Sequence, residues 1–195
     1  ITCGTRDNVK LADLVAQHFV VPVYKTAIGA KKMVVDGIEL DFGPHVIFFE
    51  HEDGPFMSEL LSRDFTINTM MIACDTGEFI DLCGGLKDLK AGRLKCTVSP
   101  EVTFGEETRP RRLLRVLKFI AAGFKIDKEM EEEIIRQFPR VRHIRKRNAA
   151  SLINEAIKEN SSIIDWLHER DLLKYIPLTK LVIAELAKRR MLHHV

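Results

Sequence analysis

The chain has 195 residues, 46% of them apolar and 30% charged, with a net charge of +2. That composition is enough to bury a core and excludes intrinsic disorder, and no apolar run approaches the ~18–20 residues of a membrane span. The four cysteines, Cys3, Cys74, Cys83 and Cys96, include no C-x-x-C pair, which argues against a disulfide framework or zinc module and for reduced thiols in the cytosol. The charge is uneven, −4 over residues 1–100 and +6 over residues 101–195, so the second half favours a polyanionic partner.

The first half predicts a mixed α/β region. Asn8–Phe19 reads as a helix with Val9, Leu11, Leu14, Val15 and Phe19 on one face and Asp7 or Asn8 as cap. Val20–Tyr24 is a short β-branched run. Lys32–Val35 and Ile38–Phe42 flank Asp36-Gly37, a strong hairpin signal because a type I′ turn needs positive φ at both central residues. Val46–Phe49 reads as a strand, Thr66–Ala73 as either buried strand or helix, and Phe79–Leu82 as a short strand. Gly84–Gly92 reads as a loop with one helical turn near Leu86–Lys90. After Pro100 the pattern turns helical, and a domain boundary is expected there, dividing 1–99 from 100–195. Pro110 suits a first helical turn, with Leu113, Leu114, Leu117, Ile120 and Ala121 as the apolar face and Gly123 as the stop. Lys128–Phe138, capped by Asp127, Asn148–Glu159, Ile163–Leu173 and Leu178–Leu192 complete the helices.

Four groups of residues could carry chemistry. Glu39 and Asp41 lie two apart on a strand and so point to one face, where paired carboxylates can hold Mg²⁺; a solvent-facing alternation beside a hairpin is the alternative. Arg63, Asp64 and Asn68 combine a phosphate-binding fork with groups that accept from hydroxyls, unless Asp64 is only a helix cap and Arg63 only surface. On the helix after Pro110, Arg111, Arg115 and Lys118 form a basic stripe opposite the leucines, with Arg112 on its shoulder. Arg136, Arg140, Arg142, Arg145, Lys146 and Arg147 form a second run with no acid between positions 134 and 147. Both suit contacts to nucleic-acid phosphates, and both are open to a reading as solvated helix faces.

Arg63-Asp64-Phe65-Thr66-Ile67-Asn68 resembles the R-R-D-F-T-x-N-A motif of the class II tRNA nucleotidyltransferase and bacterial poly(A) polymerase family. Asp81–Gly92 resembles its D-P-x-G-G-x-x-D-L-x-x-G segment. Arg112-Leu113-Leu114-Arg115, with Lys118-Phe119 and Gly123-Phe124, resembles the stretch that opens its neck helices. The resemblance implies an α+β fold: a partial polymerase-β-like nucleotidyltransferase head followed by an all-helical neck. It implies nucleotide transfer from ATP or CTP to RNA 3′ ends, by tRNA CCA addition or polyadenylation, with Mg²⁺ as cofactor and RNA as partner, in the cytoplasm and with no membrane. By resemblance Arg63, Asp64, Asn68, Arg112 and Arg115 bind the nucleotide, Glu39 and Asp41 are catalytic, with Glu39 near the metals, and the run from Arg136 to Arg147 binds RNA.

The sequence departs from the family in three places. The glycine-rich loop and D-x-D pair are missing, so the chain is expected to be a fragment that is inactive alone. Ser62 stands for the first Arg of R-R-D. Thr108-Arg109 stand where the family carries E-D. A catalytically inactive paralogue acting as an RNA-binding module is the alternative.

Overall fold

The computed structural model describes residues 8–26, 30–42, 52–73 and 76–192. The expected strand at 46–49 lies outside them, as do Cys3 and Cys74. The chain forms two compact units, Ile1–Ser62 and Arg63–Val195.

In the first unit, helix α1 spans Asn8–Phe19, as the periodicity predicts. Its buried stripe is centred on alanine: Ala12 and Ala16 pack with Met33 and Phe42, flanked by Leu11 and Val15, while Leu14 and Phe19 are exposed. Small side chains let the helix approach the sheet closely, which is why the longer apolar residues lie outside the contact. The β-branched run after α1 does not start a strand. Val20 adopts a left-handed φ of 54° and the Val21 amide returns to the Ala16 carbonyl at 3.1 Å, an αL stop. Strand β1 is only Tyr24–Lys25. Strands β2, Lys31–Val35, and β3, Ile38–Phe42, form the expected hairpin, with Asp36 at φ 50° and Gly37 at φ 80°. The antiparallel order is β1-β2-β3. Helix α2, Pro55–Leu61, opens on a proline that costs no hydrogen bond at that position.

The second unit opens with the ambiguous segment Thr66–Ala73. It resolves into a 3₁₀ turn, Thr66–Asn68, and a two-residue strand β4, Met71–Ile72, paired with β5, Phe79–Ile80. The helices follow: α3, Gly85–Lys90; α4, Pro100–Phe104; α5, Arg111–Ala121; α6, Lys128–Gln137; α7, Lys146–Glu159; α8, Ile163–Glu169; and α9, Lys180–Lys188. Two 3₁₀ turns, Phe138–His143 and Leu173–Tyr175, link α6 to α7 and α8 to α9. The last two helices are shorter than their apolar patterns, because Asp171 and Arg190 take left-handed φ of 56° and 58°.

One apolar core runs through this unit. Phe65, Leu94 and Cys96 are buried in the same cluster as Leu113, Leu117, Ile134, Phe138, Ile153 and Leu186. Composition changes near Pro100, but compactness changes after Ser62, because Phe65 packs on Phe104 and Phe119, with ring centroids 6.4 and 5.3 Å away. Burial raises the Cys96 thiol to about 12, so it stays protonated and apolar.

Glu185, buried on α9, accepts from Lys188 Nζ at 2.6 Å and Arg189 Nη1 at 2.5 Å. These bonds, Lys188 first, hold its carboxyl at about 2 rather than the ordinary 4.5. A depressed folded-state value means that stability is fully present above the unfolded value and is lost as pH falls through the folded one. Glu185→Gln is therefore expected to flatten the fall in melting temperature between pH 4.5 and 2. An unchanged profile in that window would show that the Glu185 ion pairs play no part in acid unfolding.

Candidate nucleotide site and basic surface

The residues of the R-D-F-T-x-N segment are held by a short backbone ladder. The Thr66 amide donates to the Lys95 carbonyl at 2.9 Å, the Thr97 amide to the Asp64 carbonyl at 3.4 Å, and Thr97 Oγ1 to the Arg63 carbonyl at 2.6 Å. Arg63 Nη1 closes the turn by donating to the Asn68 carbonyl at 2.8 Å. This places Asp64 inward, 3% exposed, while Arg63 and Asn68 are half-buried.

Asp64 is the hub of the cluster. Its Oδ1 accepts from Asn68 Nδ2 at 2.8 Å, and its Oδ2 forms an ion pair with Arg115 Nη1 at 3.1 Å. Oδ2 is buried and receives no hydrogen bond, so one carboxylate lone-pair direction stays available to a donor. Arg112, one turn before Arg115 on α5, donates Nη1 to the Thr103 carbonyl at 3.2 Å. Burial lowers its pKa, opposed by the Asp64 charge and reinforced by that of Arg115. Four of the five expected nucleotide residues thus have bonds or ion pairs that converge on one carboxylate or the turn beside it, and Arg112 joins them through charge.

The D-L-C-G-G-L-K-D segment supports this cluster from below. Asp81 caps α3, accepting from the Gly85 and Leu86 amides at 2.7 and 3.0 Å. Buried Asp88 accepts from Thr66 Oγ1 at 2.8 Å and pairs with Arg93 at 3.2 Å. Gly85 is required by closeness, since a Cβ there would stand 2.4 Å from the Thr66 carbonyl oxygen. The sequence pattern gave no sign of the Thr66–Asp88 link, because no periodicity relates residues 22 apart.

Glu39 and Asp41 do share one face of β3, but the group between them is an ammonium. Lys32 Nζ on β2 lies 2.6 Å from Glu39 Oε1 and 3.3 Å from Asp41 Oδ2. These bonds, Glu39 first, raise the Lys32 pKa. Among the described residues no three His, Cys, Asp or Glu gather as a metal cluster. A cross-strand lysine ion-paired to both carboxylates offsets half of their charge and competes with a divalent ion for them. The solvent-facing alternation is what the hairpin presents. Ser62, in the place of the family's first Arg, turns to its own helix and donates to the Ser58 carbonyl at 2.6 Å.

The basic run separates into different roles. Arg142, Arg145, Lys146 and Arg147 are exposed, Arg142 with its guanidinium 4.6 Å from the Tyr175 ring centroid. Arg136, also exposed, is tied to Glu133 at 2.5 Å. Arg140 is occupied within its own chain by four backbone carbonyls, those of Phe104, Gly105, Glu106 and Thr108, at 2.6, 2.7, 3.0 and 2.8 Å. A basic run read from sequence does not distinguish a donor facing solvent from one spent on carbonyls.

Comparison with known proteins places this arrangement. Residues 48–95 match the family described as the poly A polymerase head domain. The chain is 32% identical over 127 residues to the CC-adding tRNA nucleotidyltransferase of Halalkalibacterium halodurans, covering 64% of this chain and 33% of that protein. The chain is thus similar, in sequence and in structure, to tRNA nucleotidyltransferases and poly(A) polymerases. It is also 36% identical over 84 residues to poly(A) polymerase I of Escherichia coli O6:H1, covering 43% of this chain and 18% of that one. A solved tRNA nucleotidyltransferase complexed with a primer tRNA and an incoming ATP analog is similar over 94% of this chain and 56% of its own length, with 25% identity and a TM-score of 0.67. The chain therefore spans a third or less of these curated relatives. Its architecture is the family's: a polymerase-β-like head with small sheets, then helices. Enzymes of this family generally use divalent metal ions. Among the described residues no helix is long and apolar enough to cross a membrane.

Proposed function

We propose that this chain holds the incoming nucleotide in a cytoplasmic RNA nucleotidyltransferase that extends RNA 3′ ends from ATP or CTP, as CCA addition to tRNA or as polyadenylation. The observation that carries the reading is Asp64, a buried carboxylate whose Oδ2 is ion-paired to Arg115, lies near the charge of Arg112 and accepts no hydrogen bond. The carboxylate accepts from a ribose hydroxyl and the two guanidiniums face phosphate oxygens, a division of labour that suits an ion-rich, partly dehydrated site. In the transfer the RNA 3′ oxygen bonds to the α-phosphorus as the bond to the bridging oxygen breaks. Pyrophosphate leaves, and the hydroxyl proton passes to solvent. Mg²⁺ is the ion we propose for the whole protein, and Glu39 and Asp41, held by Lys32, take no part in binding it. Residues 1–99 serve as the head and 100–195 as the neck. Head and neck describe function here, while the core that joins them begins at Phe65.

The test is incorporation of labelled ATP or CTP into tRNA and into an unstructured RNA by the complete protein with Mg²⁺. Incorporation of either nucleotide is expected. No incorporation of any of the four nucleotides, with RNA binding retained, would sink the reading.

That outcome would favour the inactive RNA-binding paralogue, which the Lys32-paired carboxylates and Thr108-Arg109 support. In either reading RNA lies along Arg142, Arg145, Lys146 and Arg147. The last three open α7 with no acid in its first turn. Replacing Arg145, Lys146 and Arg147 by alanine is expected to lower the slope of log K against log salt by about 2–3, at ~0.7–0.9 per phosphate contact. An unchanged slope would remove that surface from the RNA path.

A further inference from the structure

Arg140 is the residue of the basic run that the RNA reading does not absorb. Its backbone is fixed by two buried neighbours in the same 3₁₀ turn, Phe138 and Val141, at 0% and 1% exposure. Its two terminal nitrogens grip four carbonyls of the link between α4 and α5: Nη1 takes Phe104 and Gly105, and Nη2 takes Glu106 and Thr108. The Phe104 carbonyl ends α4 and the other three lie at its C-cap or in the link beyond, so a planar guanidinium fork satisfies several at once where an ammonium could not. The same link is bound from two other directions. Thr108 Oγ1 donates back to the Gly105 carbonyl at 2.8 Å, and Arg112 Nη1 donates to the Thr103 carbonyl at 3.2 Å. The link runs directly into α5, whose first two turns carry Arg112 and Arg115.

We infer that Arg140 is a positioning residue for the nucleotide cluster: by clamping the 104–108 link it sets where Arg112 and Arg115 stand against Asp64. The inference rests on the proposed nucleotide site and goes beyond it, by naming a residue 25 positions downstream of Arg115 that touches neither nucleotide nor RNA. A lysine at 140 keeps the charge but cannot reproduce a four-carbonyl fork. The link then relaxes, and misplacement of a binding group by a fraction of an ångström is enough to lower affinity severalfold.

The experiment compares the complete protein with Arg140→Lys and with Thr108→Val, which loosens the link from its other side. ATP affinity is measured by calorimetry, and tRNA affinity by titration across a salt series. For Arg140→Lys, ATP binding about tenfold weaker is expected, with tRNA affinity and salt slope within the scatter of the parent. Thr108→Val should move ATP affinity the same way, by about threefold, as the loss of one hydrogen bond. Loss of ATP affinity without change in the salt slope supports the clamp, and Thr108→Val alone suffices for this if Arg140→Lys does not fold. A salt slope lowered by about one with ATP affinity unchanged makes Arg140 a phosphate contact and overturns it. A lowered melting temperature with both affinities unchanged makes the contact mere scaffold and also overturns it. Failure of the parent protein itself to bind ATP or CTP overturns the nucleotide site and the clamp together, and is distinct from both other failures.

Discussion

Asp64→Asn is expected to weaken ATP binding by about 10- to 100-fold while leaving 2′-deoxyATP nearly unchanged, the span of a hydrogen bond to a charged group. The substitution is isosteric, and Arg115, at 45% side-chain exposure, is left to water rather than buried unpaired. The change therefore tests charge and hydrogen bonding more than folding. Two effects oppose each other. Removing a negative charge beside Arg112 and Arg115 favours a triphosphate, while removing the acceptor disfavours a ribose hydroxyl. The screened, half-exposed position of Arg115 makes the first effect small. The buried Oδ2, with no hydrogen bond of its own, makes the second large. Tighter binding of ATP and 2′-deoxyATP alike would show that Asp64 only tempers the cations and does not meet the sugar.

Phe65→Ala is expected to destabilise the Arg63–Val195 unit by about 3–5 kcal/mol, the usual result for a buried aromatic. The ring is wholly buried, and it sits edge-on to Phe119, which in turn meets Phe124 at 5.7 Å. Little around it can collapse, since Leu94, Phe104 and Leu117 belong to the same packed cluster. At about 3–6 °C per kcal/mol for a unit of this size this is a melting shift of roughly 10–30 °C. Thermal melting and denaturant titration measure it. A shift below about 1 kcal/mol would show that the Arg63–Asn68 segment and the helices are not one core. The prediction has a functional side, because Phe65 separates Asp64 from Thr66 in sequence and pins both.

The hairpin at Asp36-Gly37, helix α1, the Asp127 cap on α6 and the leucine face of α5 were legible because each depends on contacts or dihedrals within a few residues. So was the motif order Arg63–Asn68, Asp81–Gly92, Arg112–Phe124, which carried the family resemblance. The short elements were less legible. Met71–Ile72 and Phe79–Ile80 are too brief for a period to show, and Val20 ends α1 in a conformation its β-branched side chain disfavours.

Site assignments divided along the same line. The family resemblance grouped Asp64, Asn68 and Arg115 as nucleotide residues, and the structure brings these three side chains into contact. Whether a charge is available was not legible. Glu39 and Asp41 face one side as their spacing requires, yet their partner is Lys32 on the neighbouring strand. Arg140 stands in the same basic run as Arg142 and Arg147, yet its donors end on carbonyls 32 to 36 residues earlier.

Sequence by itself determined the local elements, the basic second half and the family resemblance, since these follow from residue type, spacing and order. The tertiary structure alone decided which carboxylate is buried and open to a donor, which acids are already paired with a lysine, and which arginine clamps rather than contacts. The reason is physical: burial and partner choice depend on groups brought together from distant positions, and no local pattern encodes how a charge is finally satisfied.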